Sequence, residues 1–230
     1  MKQKFKDVKP DRLERDKSMI NEYHKHAAER EATGIPPKPL TAQQVLELVA
    51  LLSDPGKAGP EAAPEALVHL LENRVPAGVD EAARIKADFL RDIAWETVKS
   101  PLISPEHAVF LLSTMRGGYN TGHLISLLGS DRLAADAAEA LIHIIYVFDA
   151  FEDVQRLLDS NARARRVMEG WAAAGWFKNR PAIPESITVT AFRVEGEINT
   201  DDLSPAGKAW SRPDIPLHAL SMLETGSKTP

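Results

Sequence analysis

Apolar side chains recur at helical spacing along most of the chain. Met19–Thr33 is rich in Ala, Glu and His, stops at Gly34 and meets the breaker Ile35-Pro36-Pro37-Lys38-Pro39. Thr41-Ala42-Gln43-Gln44 has the form of a capping box, in which the Thr41 oxygen accepts the Gln44 backbone N–H and the Gln44 side chain reaches back. The helix it opens carries Val45, Leu48, Val49 and Leu52 on one face and ends at Asp54-Pro55-Gly56. Glu61–Asn73 follows, with Leu67, Leu70 and Leu71 inward, and Val75-Pro76-Ala77-Gly78 breaks it. Asp80–Lys99 reads as a long helix with Ile85, Phe89 and Ile93 inward and Trp95 as a further inward candidate. Ser104-Pro105 is an N-cap with proline at the first helical position, and Val109, Leu111 and Leu112 follow it as far as Met115. After a turn at Gly117-Gly118-Tyr119-Asn120, shorter helices are expected at 121–128, 131–148, 150–159 and 162–176. In the last long one, Leu141, Ile142, Ile144, Ile145, Val147 and Phe148 read as core.

Helices joined by short loops over about 150 residues predict antiparallel helix pairs stacked side by side. The pattern then changes. Pro181 and Pro184 punctuate a linker, and Ile187–Val194 is β-branched and alternates, the clearest strand signal in the chain. A polar loop over 196–216, a short helix at 217–223 and a tail at 224–230 complete it. One strand of this length cannot make a sheet by itself. Residues 181–230 therefore read as the truncated start of a β-containing domain. The expected division is a charged extension at 1–18, a helical domain at 19–177 and this second domain at 181–230.

Composition narrows the chemistry. The extension at 1–18 carries seven basic and four acidic side chains, too many to bury a face. The whole chain of 230 residues has net charge −5, which opposes nucleic-acid binding by the chain as a whole. It has no cysteine, so it offers no disulfide, thiol nucleophile or thiolate metal ligand. No apolar run approaches a membrane span and the first residues lack a signal-peptide core, so the expected compartment is the cytoplasm. The histidines His24, His26, His69, His107, His123, His143 and His218 show no metal-binding spacing, and structural or solvent-exposed roles are expected for all seven. Phosphate-cradle and nucleophile-elbow motifs are absent.

The unusual stretch is Asn199-Thr200-Asp201-Asp202-Leu203-Ser204-Pro205-Ala206, followed by Trp210-Ser211-Arg212-Pro213-Asp214-Ile215-Pro216. Prolines restrict it, and it gathers carboxylates, a hydroxyl and a planar cation suited to carboxylate recognition. Two readings are open on the residues alone: a ligand-binding loop, or a solvated loop with a local Asx turn.

At these residues the chain resembles the N-terminal part of the bacterial aconitate hydratase B family. The resemblance is carried by Glu22-Tyr23-His24-Lys25-His26 with Ala28-Glu29-Arg30, and by Pro37-Lys38-Pro39-Leu40. It continues through Asn73-Arg74-Val75-Pro76 with Gly78-Val79-Asp80-Glu81-Ala82-Ala83, and Met115-Arg116-Gly117-Gly118-Tyr119-Asn120. Trp176-Phe177 with Asn179-Arg180-Pro181 and the Thr200–Pro216 loop complete it, so that it covers about residues 19–223.

The resemblance implies a mainly α fold, with HEAT-like stacked helix pairs followed by the start of an α/β swivel domain. It implies a hydro-lyase of the tricarboxylic acid cycle that interconverts citrate and isocitrate through cis-aconitate, with 2-methylisocitrate as a further substrate. Arg212 matches the family's substrate-binding arginine, supported by Asp201 and Ser204 in the same loop. Asp202 stands where other aconitases have a histidine and is assigned no role. The implied cofactor is a [4Fe–4S] cluster in the full-length enzyme. This cysteine-free chain is expected neither to bind it nor to turn over substrate, and no catalytic or metal-ligating residue is assigned within it. The implied partners are a second copy or another protein, met through the helical domain. RNA is a further partner of the family without electrostatic support here. The alternative is a stand-alone helical protein–protein interaction module.

Overall fold

A computed structural model of the chain describes residues 19–32, 37–58, 62–76, 78, 80–115, 118–144, 147, 150–179, 182–189 and 200–206. The described residues are mainly α-helical and contain no β-strand. The chain divides into two compact units, residues 1–38 and 39–230.

The first unit contains helix α1, Met19–Glu31, in which Met19, Ile20 and Tyr23 are buried. Beyond α1, the Tyr23 hydroxyl donates to the Lys38 carbonyl at 3.1 Å, and the Lys38 N–H donates to His26 Nε2 at 3.1 Å. The extended residues before the second unit are thus tied back to α1.

The second unit opens with α2, Ala42–Ser53. Thr41 and Gln44 make the expected capping box, which satisfies two N-terminal N–H groups reciprocally. Val45, Leu48 and Leu52 are buried, and Val49 on the same stripe is half-buried. A 3₁₀ turn at Pro55–Ala58 follows. Helix α3, Pro64–Asn73, begins later than the pattern predicts because Pro64 is pre-set for the first helical position.

Helix α4, Glu81–Ala94, starts at Asp80, whose carboxylate accepts the Ala82 N–H at 2.8 Å. It stops five residues before the expected end at Lys99. Glu96 adopts a positive φ of 56°, and the N–H groups of Thr97 and Val98 both turn back to the Asp92 carbonyl. Trp95 consequently faces outward (42% exposed), and Ile85 is only half-buried. Helix α5, Pro105–Thr114, is capped by Ser104 as expected. Helices α6, Tyr119–Leu127, and α7, Ala134–His143, follow. The pattern predicts α7 to run on to 148, but Ile144 takes an extended conformation while remaining buried. Ile145 and Phe148 lie outside the described residues. Helix α8, Ala150–Gln155, is shorter than expected. Helix α9, Ala162–Ala173, ends where Ala174 turns left-handed, and a single turn, α10, Gly175–Lys178, follows.

The main packing runs between neighbours and next neighbours. One row follows α2, α4, α6 and α8, and another follows α5, α7 and α9; the rows are joined by α4 on α5, α6 on α7 and α8 on α9. Leu48, Leu67, Leu71, Leu90, Ile93, Leu112, Leu124 and Leu141 fill the space between them.

One device recurs along these rows. The last carbonyls of a helix have no intrahelical partner. Ser100 Oγ donates to the Leu52 carbonyl at 2.7 Å, Asn120 Nδ2 to Leu112 at 2.7 Å, Asn161 Nδ2 to Leu128 at 2.8 Å and Trp171 Nε1 to Leu141 at 2.7 Å. Each side chain closes the end of an earlier helix and so fixes the register of one element on the next.

The strand expected at 187–194 is not seen where it is described. Residues 187–189 lie outside any helix or strand, with Ile187 68% and Val189 75% exposed. An isolated segment has no ladder partner, so its β-branched pattern alone cannot form a sheet. Residues 190–194, the 217–223 helix and the 1–18 extension lie outside the described residues.

Candidate functional site

The loop singled out in the sequence is described only at its start. Thr200–Leu203 forms one helical turn, α11, in which the Ser204 N–H donates to the Thr200 carbonyl at 2.7 Å. Three residues apart on this turn, Asp201 and Ser204 share a side of it, and both are exposed. Asp202 is exposed as well, while Pro205 is buried and anchors the end of the turn. Arg212 lies outside the described residues. The turn accordingly brings two of the three expected residues together at a surface.

The denser polar groups belong to the helical rows. Glu72 at the end of α3 meets His107 in the first turn of α5, with Oε1 and Nε2 3.1 Å apart. On α4, Asp88 accepts from Arg84 at 3.3 Å and from Arg91 at 3.1 Å, and it lies 2.9 Å from His123 Nε2 on α6. Burial lowers the His123 pKa and the nearby Arg91 cation lowers it further, against the Asp88 carboxylate, which raises it. The neutral imidazole is therefore the favoured form at neutral pH, donating to Asp88.

Lys86 is the residue that reading the sequence missed. It is 3% exposed, and burial draws its pKa down to about 8, opposed only by Glu72. A signal for it exists in the sequence. Position 86 falls four residues after Ala82 and four before Leu90, on the apolar face of α4.

The loops that follow α3 and α5 meet at glycines. Gly78 and Gly118 both have positive φ, 76° and 83°, and a Cβ on Gly118 would lie 2.8 Å from the Gly78 carbonyl oxygen. Two of the segments that carry the family resemblance thus touch backbone to backbone.

The histidines have protein partners where they are described in detail. His26 accepts from Lys38, His69 bonds Asn73, and His143 bonds Glu139, beside the His107 and His123 pairs above. Among the described residues no three His, Asp or Glu side chains group as a metal site. His218 lies outside them.

Comparison with known proteins matches the family model described as "Aconitate B N-terminal domain" over residues 22–177, and a second, "Aconitate hydratase 2 N-terminus", over residues 189–230. Among curated relatives, aconitate hydratase B of Escherichia coli (strain K12) is 57% identical over 207 residues, covering 90% of this chain and 24% of its own. The Synechocystis protein of the same name is 55% identical over 208 residues, and that of Helicobacter pylori 43% over 211, each again matching 90% of this chain and 24% of its own. The chain spans about a quarter of the length of these relatives.

Proposed function

The chain belongs to the aconitate hydratase B family through its N-terminal region, and from that membership we propose that it serves as the N-terminal portion of an aconitate hydratase. The reaction is the interconversion of citrate and isocitrate by dehydration to cis-aconitate and rehydration, with 2-methylisocitrate as a further substrate. One observation carries this reading: two family models, both described as N-terminal, match residues 22–177 and 189–230, and a curated member is 57% identical over 90% of the chain.

Within this reading Arg212 grips a substrate carboxylate through its planar fork of donors, and Asp201 and Ser204 shape the loop that presents it. The exposed turn at Thr200–Leu203 fits a loop that completes a site with other parts of a longer polypeptide. The family's iron–sulfur cluster is held by thiolates, and these 230 residues contain none. The residues present do not fit the cluster, and no chemical step is assigned to them. The chain by itself is inactive on this account, because a carboxylate grip does not expel a hydroxyl.

The helical rows support a HEAT-like domain over 19–177, since their strongest contacts run between neighbours and next neighbours as in stacked pairs. A swivel domain then starts at 181–230. The gap between the two family models, 178–188, supports a boundary there. We assign the helical domain a protein-contact role, with a second copy or another protein as partner, in a cytoplasmic enzyme. Among the described residues no helix is long and apolar enough to cross a membrane.

The test is hydration of cis-aconitate followed by ultraviolet absorbance. The longer polypeptide with its cluster is expected to turn over and the 230-residue chain to show none. In the longer polypeptide, Arg212→Lys is expected to lower kcat/KM roughly 100-fold, as loss of a bidentate charged contact does. Turnover by the isolated chain, or an Arg212→Lys enzyme of unchanged kcat/KM, would overturn the assignment.

A further inference from the structure

The loop that joins α4 to α5 lines an open cavity. At Glu96, with φ 56°, the chain leaves the helical path, and residues 98–105 together with Ile93 and Glu96 surround a volume of about 440 Å³. Small-molecule sites span about 300–1,000 Å³. The walls are largely apolar: Ile93 and Ile103, both buried, with Val98, Pro101, Leu102 and Pro105.

These walls are held in place by the protein itself. Ser100 Oγ donates to the Leu52 carbonyl at 2.7 Å and accepts the Leu102 N–H at 3.2 Å, which pins the loop to the end of α2. The Thr97 and Val98 N–H groups both reach the Asp92 carbonyl, and Pro101 and Pro105 fix their own φ. A ligand entering here has little of the loop left to order, which lowers the cost of binding.

The polar groups around the cavity leave one charge uncommitted. Ser104 Oγ accepts the His107 N–H. Glu96 faces Arg132 Nη1 at 3.5 Å, and Arg132 also holds Glu106. Lys99, in contrast, has no hydrogen bond or ion pair among the described residues. The backbone N–H groups of Lys99, Ser100, Ile103 and Ser104 likewise meet no acceptor among them. One unpaired cation and unused N–H donors lie beside an apolar wall, and that combination defines the complementary ligand.

We propose that this cavity binds a small monocarboxylate with an apolar body, the carboxylate pairing with Lys99 and the body covering Val98, Leu102 and Ile103. One carboxylate answers one lysine by a charge-assisted hydrogen bond. A ligand with several carboxylates would have to strip water from the others against apolar side chains. A cationic ligand would be repelled by Lys99. A neutral apolar molecule would fill the cavity but gain nothing from the free charge.

The test uses octanoate and its neutral counterpart octanamide, titrated into the nitrogen-15-labelled 230-residue chain and followed by NMR. Octanoate is expected to shift the amide signals of residues 98–104 saturably, with a Kd of about 1 mM for a ligand of this size. Octanamide is expected to bind about fivefold more weakly, the discrimination that one exposed ion pair supplies. Lys99→Gln changes an exposed side chain that no contact uses, so the fold is retained. It is expected to weaken octanoate about fivefold and to leave octanamide unchanged. The proposal is overturned if residues 98–104 show no saturable shift by about 10 mM octanoate. Equal affinities for the two probes, or a Lys99→Gln chain that binds octanoate as the parent does, overturn it as well.

Discussion

A lysine in the apolar stripe of α4 makes stability depend on pH in a defined direction. The folded Lys86 amine has a pKa of about 8 and the unfolded one 10.5. Between those values the unfolded chain binds more protons, so the contribution from Lys86 rises with pH and is lost as pH falls toward 8. Its full size is about 3 kcal/mol, an order-of-magnitude figure from the difference between the two pKa values. Urea unfolding of the parent and of Lys86→Met between pH 7.5 and 10.5 isolates it: the parent gains stability relative to the variant across that window. Equal slopes would mean that the amine is solvated. His123 offers a second test. Its neutral form is favoured in the fold, so its contribution is complete above pH 6.5 and lost as pH falls through the lowered folded pKa. Arg91→Gln removes a cation and is expected to raise the His123 pKa; Asp88→Asn removes the carboxylate and is expected to lower it. NMR titration of the imidazole reads both, and a shift of the wrong sign in either would refute the assignment of causes.

Element boundaries here are decided by caps and turns more than by apolar periodicity. The capping box at Thr41, the Ser104-Pro105 start and the stripe of α2 were legible because each rests on chemistry within four residues. The ends of α4, α7 and α9 were not. They depend on Glu96 and Ala174 turning left-handed and on Ile144 extending while still buried, and those conformations answer to packing between helices. Of the candidate site, the sequence singled out Asp201 and Ser204, which share one turn. It passed over Lys86 because lysine is ordinarily read as surface, although its place in the stripe was visible. Gly78 and Gly118 sharpen the same contrast between local and tertiary control. Each has positive φ, but a Cβ at Gly78 meets nothing within 4 Å, whereas one at Gly118 runs into the Gly78 carbonyl. Gly78→Ala is therefore expected to cost about 1 kcal/mol, the left-handed penalty alone. Gly118→Ala adds a backbone clash and is expected to cost at least about 2 kcal/mol. Chemical denaturation of the two variants compares them directly, and equal losses would mean that the loops separate freely.

For the molecule as a whole, two features bear on the same question. The helical rows are closed by their own contacts and by side chains that cap the preceding helices. The segment after them is of another kind: Ile183, Ile187 and Val189 are 91%, 68% and 75% exposed, outside any helix or strand. Exposed β-branched residues invite association with another strand. A polypeptide that continued into a sheet would cover them, and the relatives, of which this chain matches 24%, have the length to do so. An antibody raised against residues 41–176 is therefore expected to detect, in cells of the source organism, a band about four times the 25.3 kDa of this chain. Such a band would place the proposed aconitase reaction on that longer polypeptide. A single band near 25.3 kDa would transfer the interpretation to a free-standing helical module. In that case a pull-down with residues 182–189 deleted would show whether a partner protein is held through that exposed segment.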